Sequence, residues 1–250
     1  VLSEDGSKLI YALTEYNLAE NRGVTTLWLR DMATGETKRL TDYNSSNHSA
    51  QWLDANNIAF LSNRTGSSQV WAMNIETLAV RQVTNLEKDV EGFGITADHA
   101  FYVQRVEVAK LKGSNKYEDM DKSKVRIYDD LMVRHWDYWD EGEYRHIFVA
   151  PLKGNVIGEA RDITGAEAAW DTPLAPYFDG AEIAWHPQAM QIAYTCKPLT
   201  GKEYAVSTDS DIYIYDIATD TTVNICKDAV ERLKLNGVAT AEAFVGYDKY

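Results

Sequence analysis

Short runs in which apolar and polar positions alternate with period two are separated along this chain by Asp, Asn, Thr and Gly, and the runs repeat. Residues 27–41 (LWLRDMATGETKRLT) align position for position with residues 70–84 (VWAMNIETLAVRQVT), an offset of 43. Looser copies follow at residues 147–154 (IFVAPLKG) and 212–220 (IYIYDIATD). Alternation predicts a strand with one face buried, and an Asp or Asn followed by Thr-Gly, Lys-Gly or a similar pair supplies the residues that close a tight turn. Each copy is therefore read as a hairpin. A second hairpin precedes each one, at residues 3–11, 52–60, 96–102 and 185–194.

Two hairpins make a four-stranded antiparallel sheet, and such sheets recurring about every 40 to 50 residues are the pattern of a β-propeller, in which neighbouring blades bury each other's faces. The fold expected is all-β: a β-propeller of four-stranded antiparallel blades at about residues 1–47, 48–88, 89–170 and 171–228, with the start of a fifth at 229–250. A β-sandwich also has short, evenly spaced strands, but it does not require turn chemistry and strand-facing aromatics to repeat at corresponding places. Four blades lie at the lower limit of known propellers, so the expectation is part of a larger one, whose two open blade edges favour self-association.

In a four-stranded meander, the links between strands one and two and between three and four emerge on one face, and the remaining links on the other. The first kind is tight, as at Asp5-Gly6 and Thr34-Gly35. The second kind is expected to be long, at residues 14–26, 104–145 and 195–211. The insertion at 104–145 exceeds a passive turn, and loops of that size carry function or disorder. Its polar stretch, 110–122, is expected to be mobile, whereas residues 127–146 are dense in aromatic and ionisable groups. Two readings of the second half stand together. In one, Trp136 and Trp139 pack on the outside of a blade and the charges stay solvated. In the other, aromatics form an apolar wall on which Asp140, Glu141 and Glu143 hold a cationic group such as a peptide N-terminus, while Arg134 pairs with an acid or with a substrate carbonyl or carboxylate. The second reading makes Arg134, Trp136, Trp139, Asp140, Glu141 and Glu143 the candidate substrate-binding residues.

Composition narrows the partners. A formal net charge of −13 without a Lys/Arg run argues against nucleic acid and anionic lipid surfaces. The longest apolar runs are a handful of residues, so no membrane span is expected. The N-terminal residues show neither a basic segment nor an apolar stretch, and no signal peptide is read there. Cys196 and Cys226 match no metal or redox spacing and are too few for a disulfide framework. The five histidines, His48, His99, His135, His146 and His186, have no metal-ligand spacing, so neither a metal nor another cofactor is expected. No Gly-x-Ser-x-Gly nucleophile elbow occurs, so no catalytic residue is assigned within this chain.

The Ser3-Glu4-Asp5-Gly6-Ser7-Lys8 turn and the Leu40-Thr41-Asp42 ending resemble those of prolyl oligopeptidase family propellers, and recur in other propellers, including the periplasmic Tol-system protein. More specific is Asp129-Asp130-Leu131-Met132-Val133-Arg134-His135-Trp136-Asp137, which is similar to the third-blade segment of broad-specificity bacterial dipeptidyl-peptidases. Over nearly all of its length the chain resembles the N-terminal propeller of prolyl oligopeptidase family serine peptidases, in particular the dipeptidyl-peptidase and acylaminoacyl-peptidase branches. The resemblance implies a seven- or eight-bladed propeller capping a C-terminal α/β-hydrolase domain that carries a Ser-Asp-His triad. Such a propeller restricts access to short or unfolded peptides, for an enzyme that releases dipeptides or acyl-amino acids from peptide N-termini. The partners implied are a peptide substrate, the C-terminal hydrolase domain and a homodimer mate. Residues 137–143 are loosely similar to the Glu-rich propeller motif that captures the substrate N-terminus in related dipeptidyl-peptidases, but lack its consecutive Glu pair. The resemblance favours a periplasmic or secreted protein, with a cytoplasmic one as the alternative. The rival function is a non-enzymatic, Tol-like propeller that binds a protein partner. A downstream nucleophile elbow would separate the two.

Overall fold

The computed structural model describes residues 1–135, 137–153, 156–173, 182–186 and 189–226. Among the described residues, four antiparallel sheets of three or more strands follow one another, each built from strands consecutive in sequence or nearly so. The first has the order β1 (Lys8–Asn17), β2 (Arg22–Asp31), β3 (Thr37–Arg39), and the second runs β4 (Asn47–Trp52), β5 (Asn57–Ser62), β6 (Gln69–Asn74), β7 (Val80–Gln82). The third opens with β8 (Gly92–Ile95) and β9 (His99–Glu107). It is then interrupted by a one-turn helix α1 (Gly113–Lys116), a 3-10 turn at Glu118–Met120, and a two-stranded ribbon of β10 (Arg134–His135) and β11 (Tyr138–Trp139). It resumes with β12 (Glu143–Lys153) and β13 (Val156–Ile157), while β14 (Arg161–Asp162) also pairs with β12. The fourth sheet is β15 (Ile183–Trp185), β16 (Gln191–Cys196), β17 (Asp211–Asp216) and β18 (Thr221–Asn224), with a short helix α2 (Gly201–Val206) between β16 and β17. Repeated meanders of this kind are propeller blades, and the all-β propeller expectation is met.

The repeat read in the sequence has a chemical content that the structure makes explicit. In three copies a carboxylate or amide oxygen at the end of the third strand accepts two backbone N–H groups of the following turn. Asp31 Oδ1 takes those of Ala33 and Thr34, Asn74 Oδ1 those of Glu76 and Thr77, and Asp216 Oδ1 those of Ala218 and Thr219. This is the Asx turn, in which the side chain substitutes for a backbone acceptor. A second device ties the fourth strand to the third. The Leu27 N–H donates to Thr41 Oγ1 at 2.9 Å, Val70 to Thr84 Oγ1 at 2.8 Å, and Ile147 to Thr164 Oγ1 at 3.0 Å. In the last copy Ile212 meets Cys226 Sγ at 3.4 Å. Cys226 thus stands where the other blades place threonine. Cys196 and Cys226 are both free thiols.

The chain forms two compact units, one of Val1–Gln104 with Phe148–Arg161, the other of Arg105–Ile147 with the chain from Asp162 onward. In the first unit β5 is buried on both faces, and its period of two sorts its side chains into two clusters. Ile58 and Phe60 pack with Ile10, Leu27, Leu40, Met73 and Ile75, while Ala59 and Leu61 pack with Val70, Val90, Ile95, Ala100 and Tyr102. That is how stacked blades use both faces of each sheet.

Two expectations are corrected. Residues 14–26 are not a loop: β1 and β2 continue pairing from Thr14↔Thr25 to Asn17↔Arg22, and only residues 18–21 turn, with Asn21 at φ 48°. Thr14, Tyr16, Val24 and Thr25 are good strand formers, and the Thr14 and Thr25 hydroxyls bond across the ladder at 2.8 Å. The extended hairpin leaves Tyr16 78% and Leu18 93% exposed. In addition, the first sheet has three strands, its fourth position being reduced to a single bridge between Leu2 and Leu9. The start of a fifth blade at 229–250 and the Gly154 turn lie outside the described residues.

Candidate functional site

The 104–145 insertion folds into defined pieces within the second unit. The β10–β11 ribbon pairs Arg134 with Trp139 and His135 with Tyr138, so facing residues share one side of the ribbon. The Arg134 guanidinium lies over the Trp139 ring, 5.6 Å from its centroid. Beyond the ribbon the chain is fixed by Asp140. Its backbone N–H donates to the Val133 carbonyl at 3.1 Å, and its carbonyl accepts the Tyr128 hydroxyl at 2.7 Å. Its carboxylate accepts the Gly142 N–H at 2.7 Å and the Tyr144 hydroxyl at 3.1 Å. Burial, reinforced by the Asp140 charge, pushes the Tyr144 phenol well above its ordinary range, so it stays a donor. Glu141 is held in a fork by Arg126, whose Nε lies 2.9 Å from Oε2. This pairing raises the arginine pKa further. Gly142, at φ 75°, returns the chain to β12, and its carbonyl accepts both the Val108 and Ala109 N–H groups.

These pieces form one side of a cavity of about 610 Å3. Arg134, Trp139, Asp140, Glu141 and Glu143 all line it, together with Leu131, Met132, His135 and Tyr138. The rest of the lining comes from Arg105 before the ribbon, Tyr144 and Arg145 in β12, the stretch Ala169, Trp170 and Asp171, and Thr200, Gly201 and Tyr204 around α2. Arg145 and Asp171 are an ion pair at 3.6 Å with little solvent exposure, and Asp171 also accepts the Arg145 N–H at 2.9 Å. Lys197 sits 3.7 Å over the Tyr204 ring and donates to the carbonyls of Tyr204 and Ser207, which closes the C-terminal end of α2. Burial raises the Tyr204 pKa and lowers that of Lys197. The lining is aromatic with acids and arginines interspersed, in a volume of the order that holds a small ligand or a few residues of peptide.

Five of the six residues singled out from the sequence meet at this cavity, and Trp136 lies outside the described residues. Asp140 and Glu141 line it while their carboxylates already hold partners in the chain, so they shape the wall. Trp139 lines the cavity and is half exposed. Sequence reasoning missed Arg105, Arg145, Trp170, Asp171 and Tyr204. The length of the 195–211 link was the one signal that pointed toward Tyr204. The polar 110–122 stretch, expected to be mobile, contains α1 and the 3-10 turn.

No family model matches the chain. Dipeptidyl-peptidase 5 of Porphyromonas gingivalis is 32% identical over 252 residues, covering 100% of this chain and 34% of that protein. The chain is a homologue of dipeptidyl-peptidase 5. The counterpart from Porphyromonas endodontalis is likewise 32% identical over 227 residues, 90% of this chain and 32% of its own length. The chain thus spans about a third of the dipeptidyl-peptidases it matches. Acylaminoacyl peptidase of Pyrococcus horikoshii superposes with a TM-score of 0.57 at 16% identity, over 87% of this chain and 30% of that one. An acylaminoacyl peptidase in complex with Z-Gly-Gly-Phe-chloromethyl ketone gives 0.58 at 15% identity, over 88% and 30%. At such identities the superpositions speak for the fold, and the relationship rests on the dipeptidyl-peptidases. The resemblance to dipeptidyl- and acylaminoacyl-peptidases is borne out.

Proposed function

We propose that this chain is the substrate-access propeller of a serine exopeptidase that removes dipeptides or acyl-amino acids from peptide N-termini, and that its cavity binds the end of the peptide. The observation that carries this reading is the convergence of Arg134, Trp139, Asp140, Glu141 and Glu143 on one cavity in a chain homologous to dipeptidyl-peptidases. Aromatic walls supply contact area to a peptide backbone, and acids beside them favour an ammonium group. The propeller contributes binding and exclusion, while bond cleavage belongs to a hydrolase domain in the remainder of the protein. Periplasmic or secreted placement goes with this reading, since peptides from outside the cell are the natural supply.

The test is Glu143→Gln in the complete protein, assayed with a peptide bearing a free N-terminus and with its acylated counterpart. Loss of a charge-assisted bond of about 1.5–3 kcal/mol predicts a KM roughly 10- to 100-fold higher for the free amine. The acylated peptide and kcat should change little. Equal effects on both peptides, or none on either, would overturn the peptide-end reading. Labelling of the complete protein by a fluorophosphonate, which reacts with activated serines, checks the serine chemistry separately.

A further inference from the structure

His146 lies within β12 with none of its side chain exposed, one residue from the cavity-lining Arg145. Both ring nitrogens meet oxygen. Nδ1 is 2.7 Å from Asp162 Oδ2, and Nε2 is 2.9 Å from the carbonyl oxygen of Ala168. A neutral imidazole has one N–H and one lone pair. In one tautomer the bare nitrogen would face the Ala168 carbonyl, and in the other the Asp162 carboxylate. A ring that donates from both nitrogens satisfies both contacts, and that ring is the imidazolium. The other oxygen of Asp162 accepts the N–H groups of Thr164 and Gly165 at 3.0 and 3.1 Å, which fixes the carboxylate against the ring. The charged groups facing the ring are Asp162 from β14 and Asp171 from the segment that follows, and Asp171 is itself paired with Arg145. Burial alone would lower the imidazole pKa, but the bonds to Asp162 and Ala168 and the two nearby carboxylates outweigh it, and the net shift is upward.

What the ring holds is a wall of the cavity. The segment after β14 is tied to β12 at its start by Ile163 N–H to the Ile147 carbonyl, 2.9 Å, and at its end by Thr172 N–H to the Arg145 carbonyl, 2.8 Å. Between these ties the bond from His146 to Ala168 fastens the residue immediately before Ala169, Trp170 and Asp171, which line the cavity. We infer that His146 is a positioning residue: as a buried imidazolium it fixes the cavity wall at residues 169–171, and loss of its proton releases that wall. Because the folded pKa is raised, the contribution is complete below the ordinary histidine value and is lost as pH rises through the folded one. The effect on affinity rests on the peptide-binding reading, whereas the anchoring does not.

The experiment separates the two. With ring nitrogens labelled in histidine, and the His146 signals assigned by their loss in His146→Gln, NMR should show two protonated nitrogens persisting above the ordinary histidine titration. One protonated and one bare nitrogen at pH 6 would overturn the inference. Amide exchange across residues 163–172, corrected for base catalysis, should lose protection in step with this titration in the wild type and show no step in His146→Gln. A titrating ring without an exchange step would equally overturn the anchoring role. Asp162→Asn keeps the native histidine and gives a second route if the first variant does not fold: the His146 titration should move down, and the exchange step with it. In the complete protein, KM for a peptide should rise about ten-fold across the same step at constant kcat. An exchange step with unchanged KM would leave the positioning role standing and overturn the peptide-cavity reading instead.

Discussion

At Gly142 the backbone sits at φ 75°, and a Cβ there would lie 2.1 Å from the carbonyl oxygen of Ala109. Backbone strain and an unyielding main-chain clash act together, so Gly142→Ala is expected to cost on the order of 3 kcal/mol and to disturb the cavity between Glu141 and Glu143. Gly66, at φ 100° with nothing within 4 Å, supplies the comparison. Gly66→Ala should cost only the strain, about 1 kcal/mol, and the difference between the two variants in urea midpoint checks the argument. The Asp5 carboxylate offers a pH test. It accepts the Ser7 N–H at 3.0 Å and the Ser3 hydroxyl at 2.7 Å, and these bonds hold its pKa down at about 2. A depressed folded pKa contributes stability above the ordinary Asp value, and that contribution disappears as pH falls toward 2. Melting curves of wild type and Asp5→Asn should therefore differ at neutral pH and converge at the acid end.

The blade is the scale at which the repeat earns its physical meaning. Thr41 and Thr84, which cap third-strand N–H groups, are buried, and Thr41→Val would leave the Leu27 N–H without an acceptor inside the sheet. The expected loss is about 1–3 kcal/mol, with Thr84→Val behaving alike, and denaturant unfolding measures both. Cys226 fills the same place with a weaker acceptor, so Cys226→Thr is expected to stabilise the fourth blade by about 0.5–1 kcal/mol. These blades were legible because their signal is local: strand alternation and an Asx turn lie within fifteen or so neighbouring positions. The 14–26 hairpin was misread for the complementary reason. Its paired residues are mostly exposed, so the hydrophobic contrast that marks a half-buried strand is missing, and cross-strand hydrogen bonds alone carry it.

Across the whole molecule the charge is strongly negative, −13 in formal terms. A cationic peptide should therefore approach this chain faster than an acidic one of the same length, and the preference should fade as salt shortens the Debye length from about 10 Å at 0.1 M to 3 Å at 1 M. Stopped-flow tryptophan fluorescence at two ionic strengths measures this. At this scale the sequence by itself determined the all-β architecture, the blade repeat and the kinship with dipeptidyl-peptidases, because each is written in residues that are near neighbours along the chain. It also marked the insertion whose residues Arg134, Trp139, Asp140, Glu141 and Glu143 line the cavity. Only the tertiary structure decided that Asp140 and Glu141 are engaged within the chain and that Arg145, Asp171 and Tyr204 complete the cavity. Only it, too, set both nitrogens of His146 against oxygen. The His146 contacts join residues 16 and 22 positions apart and the Arg145–Asp171 contact residues 26 apart, and no local pattern of polarity fixes which side chains a folded sheet brings face to face.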